Sequence, residues 1–395
     1  MSTYNTLFQN HIQRSVEAAL AQWQAMQSGQ QATDLHALTL HVLDFALTIS
    51  QAWDGTRTLV MTAAPQMEQA GLWEAWLPLL QKALRHSQEQ GDLPAQAELH
   101  YHQGVIAQIR ADYAAADVAF GQSAALSRSL GDGEGAGRAL NRQAYVARLR
   151  QEPGQARDWI DQALALLPPD AADRAYSAFV LGTLAYDQQD WPAAEEHLRQ
   201  ALTLWQAQAN PRMEARSLSN LGPVLQWQQK YDEALACYQA AEALLLGLND
   251  PVQLALTRMN MGIIHSLRGD DEAALAHYRQ AEESFRTAQA TLHLAQLCTN
   301  LGISYRRLGR WEEARHAYEE SITRYRELAM WTRLGNALDG LGLTWLSLGD
   351  APRAAQIFEE GLTLMARSGD DRTSELVRSD LRQHLAEAGE KMGRG

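Results

Sequence analysis

The sequence predicts an all-α fold, a solenoid of antiparallel helix pairs closed at each end by further helices. Three observations predict it. Related residues recur at intervals of forty. Ala, Leu, Gln, Glu and Arg dominate while β-branched residues are sparse, the composition of helices. Within each interval the apolar positions follow a helical period, in two runs separated by a short polar turn.

At 395 residues the chain suits two or three ordinary domains or one extended array. Its net charge of −13, from 47 acids and 34 Lys and Arg, argues against generic nucleic-acid or anionic-membrane binding. No apolar run approaches the roughly 18 residues of a membrane helix. The N-terminal Met1-Ser-Thr-Tyr-Asn has no basic segment followed by an apolar one, so no secretory signal is expected. Two cysteines, Cys237 and Cys298, are too few for a disulfide framework or a zinc site. A cytoplasmic location is the expectation.

Taken in order, residues 4–28 and 31–51 read as two helices. They form an N-terminal helical cap over residues 1–53, or a small effector module. Eight repeat units follow over residues 54–370. The first is degenerate, centred on Ala64 with Trp73 nine residues later. The next has Gly104, Tyr113, Ala116 and Phe120, and the third has Ala144, Ala156 and Ile160. Gly182, Gly222, Gly262, Gly302 and Gly342 then mark five clearer copies. Twelve residues beyond each stands Ala194, Ala234, Ala274, Ala314 or Ala354, and sixteen beyond stands Leu198, Tyr238, Tyr278, Tyr318 or Phe358. Each unit is then two helices of about 17 residues, each about 25 Å long. Glycine and alanine mark the close helix crossing, and the residue at plus sixteen is expected to fill the space between one pair and the next.

Gly91-Asp92, Gly131-Asp132, Asn249-Asp250 and Gly369-Asp370 have the chemistry of a helix C-cap followed by an N-cap. Pro168-Pro169 and Pro211 mark other breaks. The cluster GDGEGAG, Gly131–Gly137, lacks the strand and the Lys-Ser/Thr of a phosphate cradle, so a flexible inter-repeat loop is expected there. Residues 371–395 contain a polar amphipathic helix suited to a C-terminal cap.

Little points to chemistry. His100 and His102 lie about 200° apart on a helix, and neither has a partner four residues on. Glu195-Glu196, Glu312-Glu313 and Glu359-Glu360 suit solvated turns, and no Ser-His-Asp or Cys-His spacing stands out. No catalytic residue, metal or cofactor is expected.

The pattern L-G-x-x-Y/L, then A-x-x-x-Y, then A resembles the tetratricopeptide repeat (TPR) superfamily. The forty-residue period resembles the variant in kinesin light chain, Pins-type adaptors and MalT-like sensor arms. A short helical bundle followed by repeats also resembles the layout of Rap-type phosphatases. The resemblance implies a right-handed superhelical, TPR-like solenoid whose groove is built from the first helix of each pair.

Mapped onto that groove are Arg138, Asn141, Arg142, Tyr145 and Arg148 in one unit, then Tyr176, Phe179 and Tyr186 in the next. Further along come Arg216, Asn220 and Gln226, with Trp227 beside them, then Asn260, Asn300, Arg306 and Arg307. Asn220, Asn260 and Asn300, spaced by forty, form a ladder of amides able to grip the main chain of an extended peptide. The same residues could instead hydrogen-bond helix to helix, and both roles stay open. The arginines suit carboxylates, or salt links to neighbouring acids. Three functions follow: an adaptor binding an extended acidic peptide, a ligand- or peptide-sensing subunit of the MalT or Rap kind that gates a partner, and, least favoured, a nucleic-acid binder. The sequence sets no oligomeric state.

Overall fold

The computed structural model describes residues 2–25, 33–248, 250–369 and 371–393. The expected caps at Asn249 and Asp370, and residues 26–28 and 31–32 of the expected N-terminal helices, lie outside the described residues. Every regular element among the described residues is helical, and the chain divides into two compact units, Met1–Ser217 and Leu218–Gly395.

The first unit opens with α1 (Ser2–Ala25) and α2 (Thr33–Ala46). The second helix stops five residues short of the expected end, because Thr48 Oγ1 donates to the Phe45 carbonyl at 2.6 Å and Ile49 is extended. A short 3-10 turn, Ser50–Ala52, leads into α3 (Trp53–Gln69) and α4 (Trp73–Gln90). Val16 and Ala19 of α1, Leu43 of α2 and Leu59, Val60 and Leu80 beyond are all buried in one cluster. Trp23 Nε1 donates to Thr39 Oγ1 at 2.8 Å and so pins α1 to α2. These two helices thus cover the apolar side of the first pair.

Three more pairs follow: α5 (Leu93–Ile109) with α6 (Tyr113–Ser129), α7 (Gly133–Leu149) with α8 (Pro153–Leu166), and α9 (Arg174–Asp187) with α10 (Trp191–Ala207). The helix α11 (Pro211–Trp227) crosses the unit boundary. In the second unit come α12 (Tyr231–Leu248), α13 (Pro251–Leu267), α14 (Asp271–Thr287), α15 (Thr291–Arg307), α16 (Trp311–Glu327), α17 (Trp331–Ser347) and α18 (Ala351–Met365). The last helix, α19 (Arg372–Gly393), buries Val377, Leu381 and Ala388.

Aspartates start these helices. Asp92, Asp112, Asp132 and Asp190 in the first unit each accept a hydrogen bond from the backbone N–H three residues on, as do Asp250, Asp270 and Asp350 in the second. For α19 the capping residue is Asp371, which accepts from Ser374 N at 2.9 Å. The GDGEGAG cluster is not a loop: α7 begins at Gly133. A β-carbon at Gly135 would fall 2.1 Å from the capping Asp132 carboxylate, and one at Gly137 would fall 2.5 Å from Leu167. These glycines give the first turns of α7 the closeness that side chains would forbid.

The residue at plus sixteen also has a different place from the one expected. Phe358 lies over Gly342 of its own pair, where an added β-carbon would come within 2.3 Å of the ring. The lock therefore closes inside each pair. Tyr318 does both, covering Gly302 of its own pair and meeting Gly340 of the next.

Candidate functional site

In the first unit, the residues expected on the groove gather around two tyrosines. Arg142 on α7 donates from Nε to the Tyr101 hydroxyl and from a terminal nitrogen to the Tyr176 hydroxyl, both at 3.0 Å. Its guanidinium lies 4.4 Å from the Tyr176 ring centre. Arg216 donates to the Tyr145 hydroxyl at 2.7 Å and faces the Phe179 ring at 4.9 Å. Burial pushes the Tyr176 phenol up, so it stays a neutral acceptor at pH 7.

Two of the expected carboxylate readers are already paired. Arg138 bonds Glu98, and Arg148 holds Asp187 through two nitrogens at 2.5 and 2.9 Å. Asn141 is buried: its amide donates to the Asp173 carbonyl at 3.0 Å and accepts from Ser177 Oγ at 2.8 Å. Phe179 is buried as well, and Tyr186 packs edge-on against Trp191 at the turn of its own pair. The spacing brings these side chains to one face of each helix. Neighbouring helices then occupy most of their polar atoms.

The second unit differs. Leu256, Met259, Asn260 and Ile263 on α13, Gln296, Thr299 and Asn300 on α15, Tyr325 on α16, and Arg333 and Asn336 on α17 line a concave pocket of about 450 Å³. No carboxylate lines it. Among the described residues the side-chain amides of Asn260, Asn300 and Asn336 have no hydrogen-bond partner within the chain. Burial pushes the Tyr325 phenol up, against the neighbouring Thr299 and Arg333, which lower it. The pocket offers amide donors and acceptors, one guanidinium and an apolar floor.

Asn220 and Gln226 do not line this pocket. Arg307 serves packing: it donates to the Ser266 carbonyl at 2.7 Å, beside buried Asp271, which accepts from Ser266 and Ser304 hydroxyls at 2.7 Å each. The Arg306 guanidinium lies near Tyr318 and lowers its phenol, against burial, which pushes it up. Arg258 on α13 pairs with Glu242 on α12 at 2.6 Å.

Sequence reasoning missed Gln296, Asn336 and Arg333. The first two stand six residues before Gly302 and Gly342, one helical turn before the asparagine position, and extending the ladder by i−4 would have found them. Arg333 had no such marker. His102, which has no metal-ligand spacing, places Nδ1 2.7 Å from the carboxylate of half-buried Glu68, which accepts from the ring. No helix among the described residues is long and apolar enough to cross a membrane.

The model of the tetratricopeptide repeat family matches residues 213–287 and 290–367, and a second model of the same description matches 179–245. No curated protein matches the sequence. Among solved structures, a STAND signal-transduction ATPase with a tetratricopeptide repeat sensor from Pyrococcus horikoshii aligns with TM-score 0.65 at 11% identity, over 87% of this chain and 52% of that one. The chain thus spans about half of that protein's length. Aspartyl phosphate phosphatase F from Bacillus subtilis aligns with TM-score 0.55 at 12% identity, over 92% and 95% of the two chains. A Rap protein complexed with competence and sporulation factor gives TM-score 0.50 at 12% identity, over 96% and 99%. At these identities the structural likeness speaks to fold alone. Tetratricopeptide repeats thus occupy residues 179–287 and 290–367 of this chain, and the forty-residue period continues N-terminally from them.

Proposed function

We propose that this chain is a non-catalytic binding module that holds an extended peptide segment of a partner protein, with the pocket of α13, α15 and α17 as its principal seat. One observation carries the proposal. Asn260 and Asn300, one repeat apart, line a single acid-free pocket with amides that engage nothing else among the described residues. A primary amide offers two donors and a carbonyl acceptor, which matches the alternating N–H and C=O of an extended main chain. Solvated amides on a concave apolar floor lose little on binding, because each exchanges water for peptide. The acidic preference of the segment belongs to the same proposal. It rests on the one guanidinium that lines this pocket, Arg333.

The test is a pull-down with the intact chain and with an Asn260→Ala/Asn300→Ala variant, after both are shown to melt alike. Partners kept by the first and lost by the second support the proposal. Identical partner sets would remove the pocket from consideration and turn the search to the N-terminal helices.

A second proposed role is a peptide-sensing regulator that gates another protein. It is favoured by the alignment with a Rap protein bound to competence and sporulation factor, which runs over 96% of this chain. A change in hydrogen exchange in α1 and α2 on adding a peptide that occupies the α13–α17 pocket would favour that role over a passive adaptor.

A further inference from the structure

The pocket of the second unit is asymmetric, and the asymmetry specifies what a bound segment must carry. Its apolar residues, Leu256, Met259 and Ile263, all lie on α13. Its guanidinium, Arg333, lies on α17, two pairs further along. Between them α15 contributes Gln296, Thr299 and Asn300. Arg333 lies beside Tyr325, a neutral group whose phenol it lowers, and has no carboxylate partner among the described residues. A guanidinium beside a neutral phenol, at a wall with no acid, keeps most of its donors for an arriving anion.

We infer that this pocket selects a bipartite motif, an aliphatic side chain and a carboxylate held six residues apart on an extended segment, with Arg333 as the residue that reads the carboxylate. The inference rests on the peptide-binding proposal above. The spacing follows from the architecture. First helices of successive pairs pack at about 8–10 Å, which puts α13 and α17 about 16–20 Å apart. An extended chain rises about 3.3 Å per residue, so that distance corresponds to about five or six residues. Side chains alternate in direction along such a chain, so two that face the same wall are an even number apart. Six is the even number inside the range. The main chain between the anchors would run past the amides of Asn260, Asn300 and Asn336, which do not discriminate among side chains.

The carboxylate can come from Asp or Glu within a segment or from a free C-terminus, and the experiment separates the two. A phage-displayed library of random twelve-residue peptides is selected on the full chain, on Arg333→Gln, on Arg333→Lys and on Asn260→Ala/Asn300→Ala. Peptides selected on the unmodified chain are then synthesised with free and with amidated C-termini. The expected result is enrichment of Leu, Ile or Val six residues from Asp or Glu. On Arg333→Gln the acid preference disappears while the aliphatic preference stays, and on Arg333→Lys part of the acid preference returns. Replacing the acid of a selected peptide by its amide weakens binding to the unmodified chain about tenfold and leaves binding to Arg333→Gln unchanged. Binding lost on amidation assigns the role to the terminal carboxylate, and binding retained assigns it to the side chain. If selected peptides depend on Asn260 and Asn300 but show no acid preference, or the same preference on Arg333→Gln, the inference is overturned and the peptide-binding proposal stands. If no selected peptide depends on the asparagines, both fall.

Discussion

The lock inside each helix pair can be broken and mended by design, and Gly342 with Phe358 is the cleanest place to do it. A β-carbon at Gly342 would sit 2.3, 2.6 and 2.8 Å from three ring carbons of Phe358. Carbon atoms prefer about 3.5–4.0 Å, so the ring would have to retreat by about 1 Å. Phe358 is fully buried, with its far side near the His384 ring at 5.8 Å, so it has little space to move into. Overpacking of this kind costs about 2–3 kcal/mol, and Gly→Ala inside a helix returns about 1 kcal/mol. Gly342→Ala should therefore destabilise by about 1–2 kcal/mol, which for a unit of this size lowers Tm by about 3–6 °C. The sequence itself shows the remedy: where the small position is Ala144 or Ala64, the residue sixteen on is Ile160 or Leu80. Phe358→Leu alone should cost about 1–2 kcal/mol for the contacts removed. In the double variant the clash is gone, so the two losses should fail to add by about 1–2 kcal/mol. Thermal melting followed by helical circular dichroism is the assay, with hydrogen exchange to confirm that α17 and α18 are the helices loosened. A Gly342→Ala variant that melts at or above the parent, or losses that add, would refute the reasoning.

Other consequences can be checked separately. Asn141→Ala removes the buried amide that joins the Asp173 carbonyl to the Ser177 hydroxyl, and urea unfolding should show a loss of about 1–3 kcal/mol. Arg307→Met should cost a similar amount by stripping a donor from Ser266 and a nearby positive charge from buried Asp271, while leaving selected peptides bound as before, since Arg307 does not line the pocket. Burial, then the neighbouring His265 ring, holds the His277 imidazole below its ordinary value of about 6.5. The unfolded chain then binds the proton more readily, so stability is full above about pH 6.5 and falls as pH drops through that value toward the lower folded one. Tm measured from pH 7 to pH 5 should decline, and less steeply for His277→Phe. Burial pushes the Cys298 thiol up to about 12, so a thiolate-selective reagent at pH 8 should leave it unmodified until the chain is unfolded.

The fold was legible because its determinants are local and repeated. Glycine, alanine and the bulky residue at plus sixteen recur in register, and aspartates such as Asp92, Asp112, Asp132 and Asp190 announce the start of their helices. What was not legible depended on side-chain direction and on which neighbours arrive first. Arg138 and Arg148 look available in the sequence, but Glu98 and Asp187 lie 40 and 39 residues away along the chain, on the adjacent first helices, and meet them there. The GDGEGAG stretch read as a loop by composition, while close packing on Leu167 and the Asp132 cap makes it helical. The pocket itself was half visible. Asn260 and Asn300 follow from the period, but Arg333 is unmatched by any repeat partner, and its significance lies in the acids it does not meet.

Because the glycine lock is completed within a pair, each pair brings its own means of staying closed. The ionic links between successive second helices keep step with it: Arg286 reaches Glu320, and forty residues on Arg326 reaches Glu360 by the same offset. An array built this way can gain or lose whole forty-residue blocks by gene duplication or deletion without redesigning the joints. The pocket sets the lower limit on such shortening, because its walls come from three consecutive pairs, and a block removed between Leu256 and Asn336 would bring the apolar wall and the guanidinium one helix pair closer.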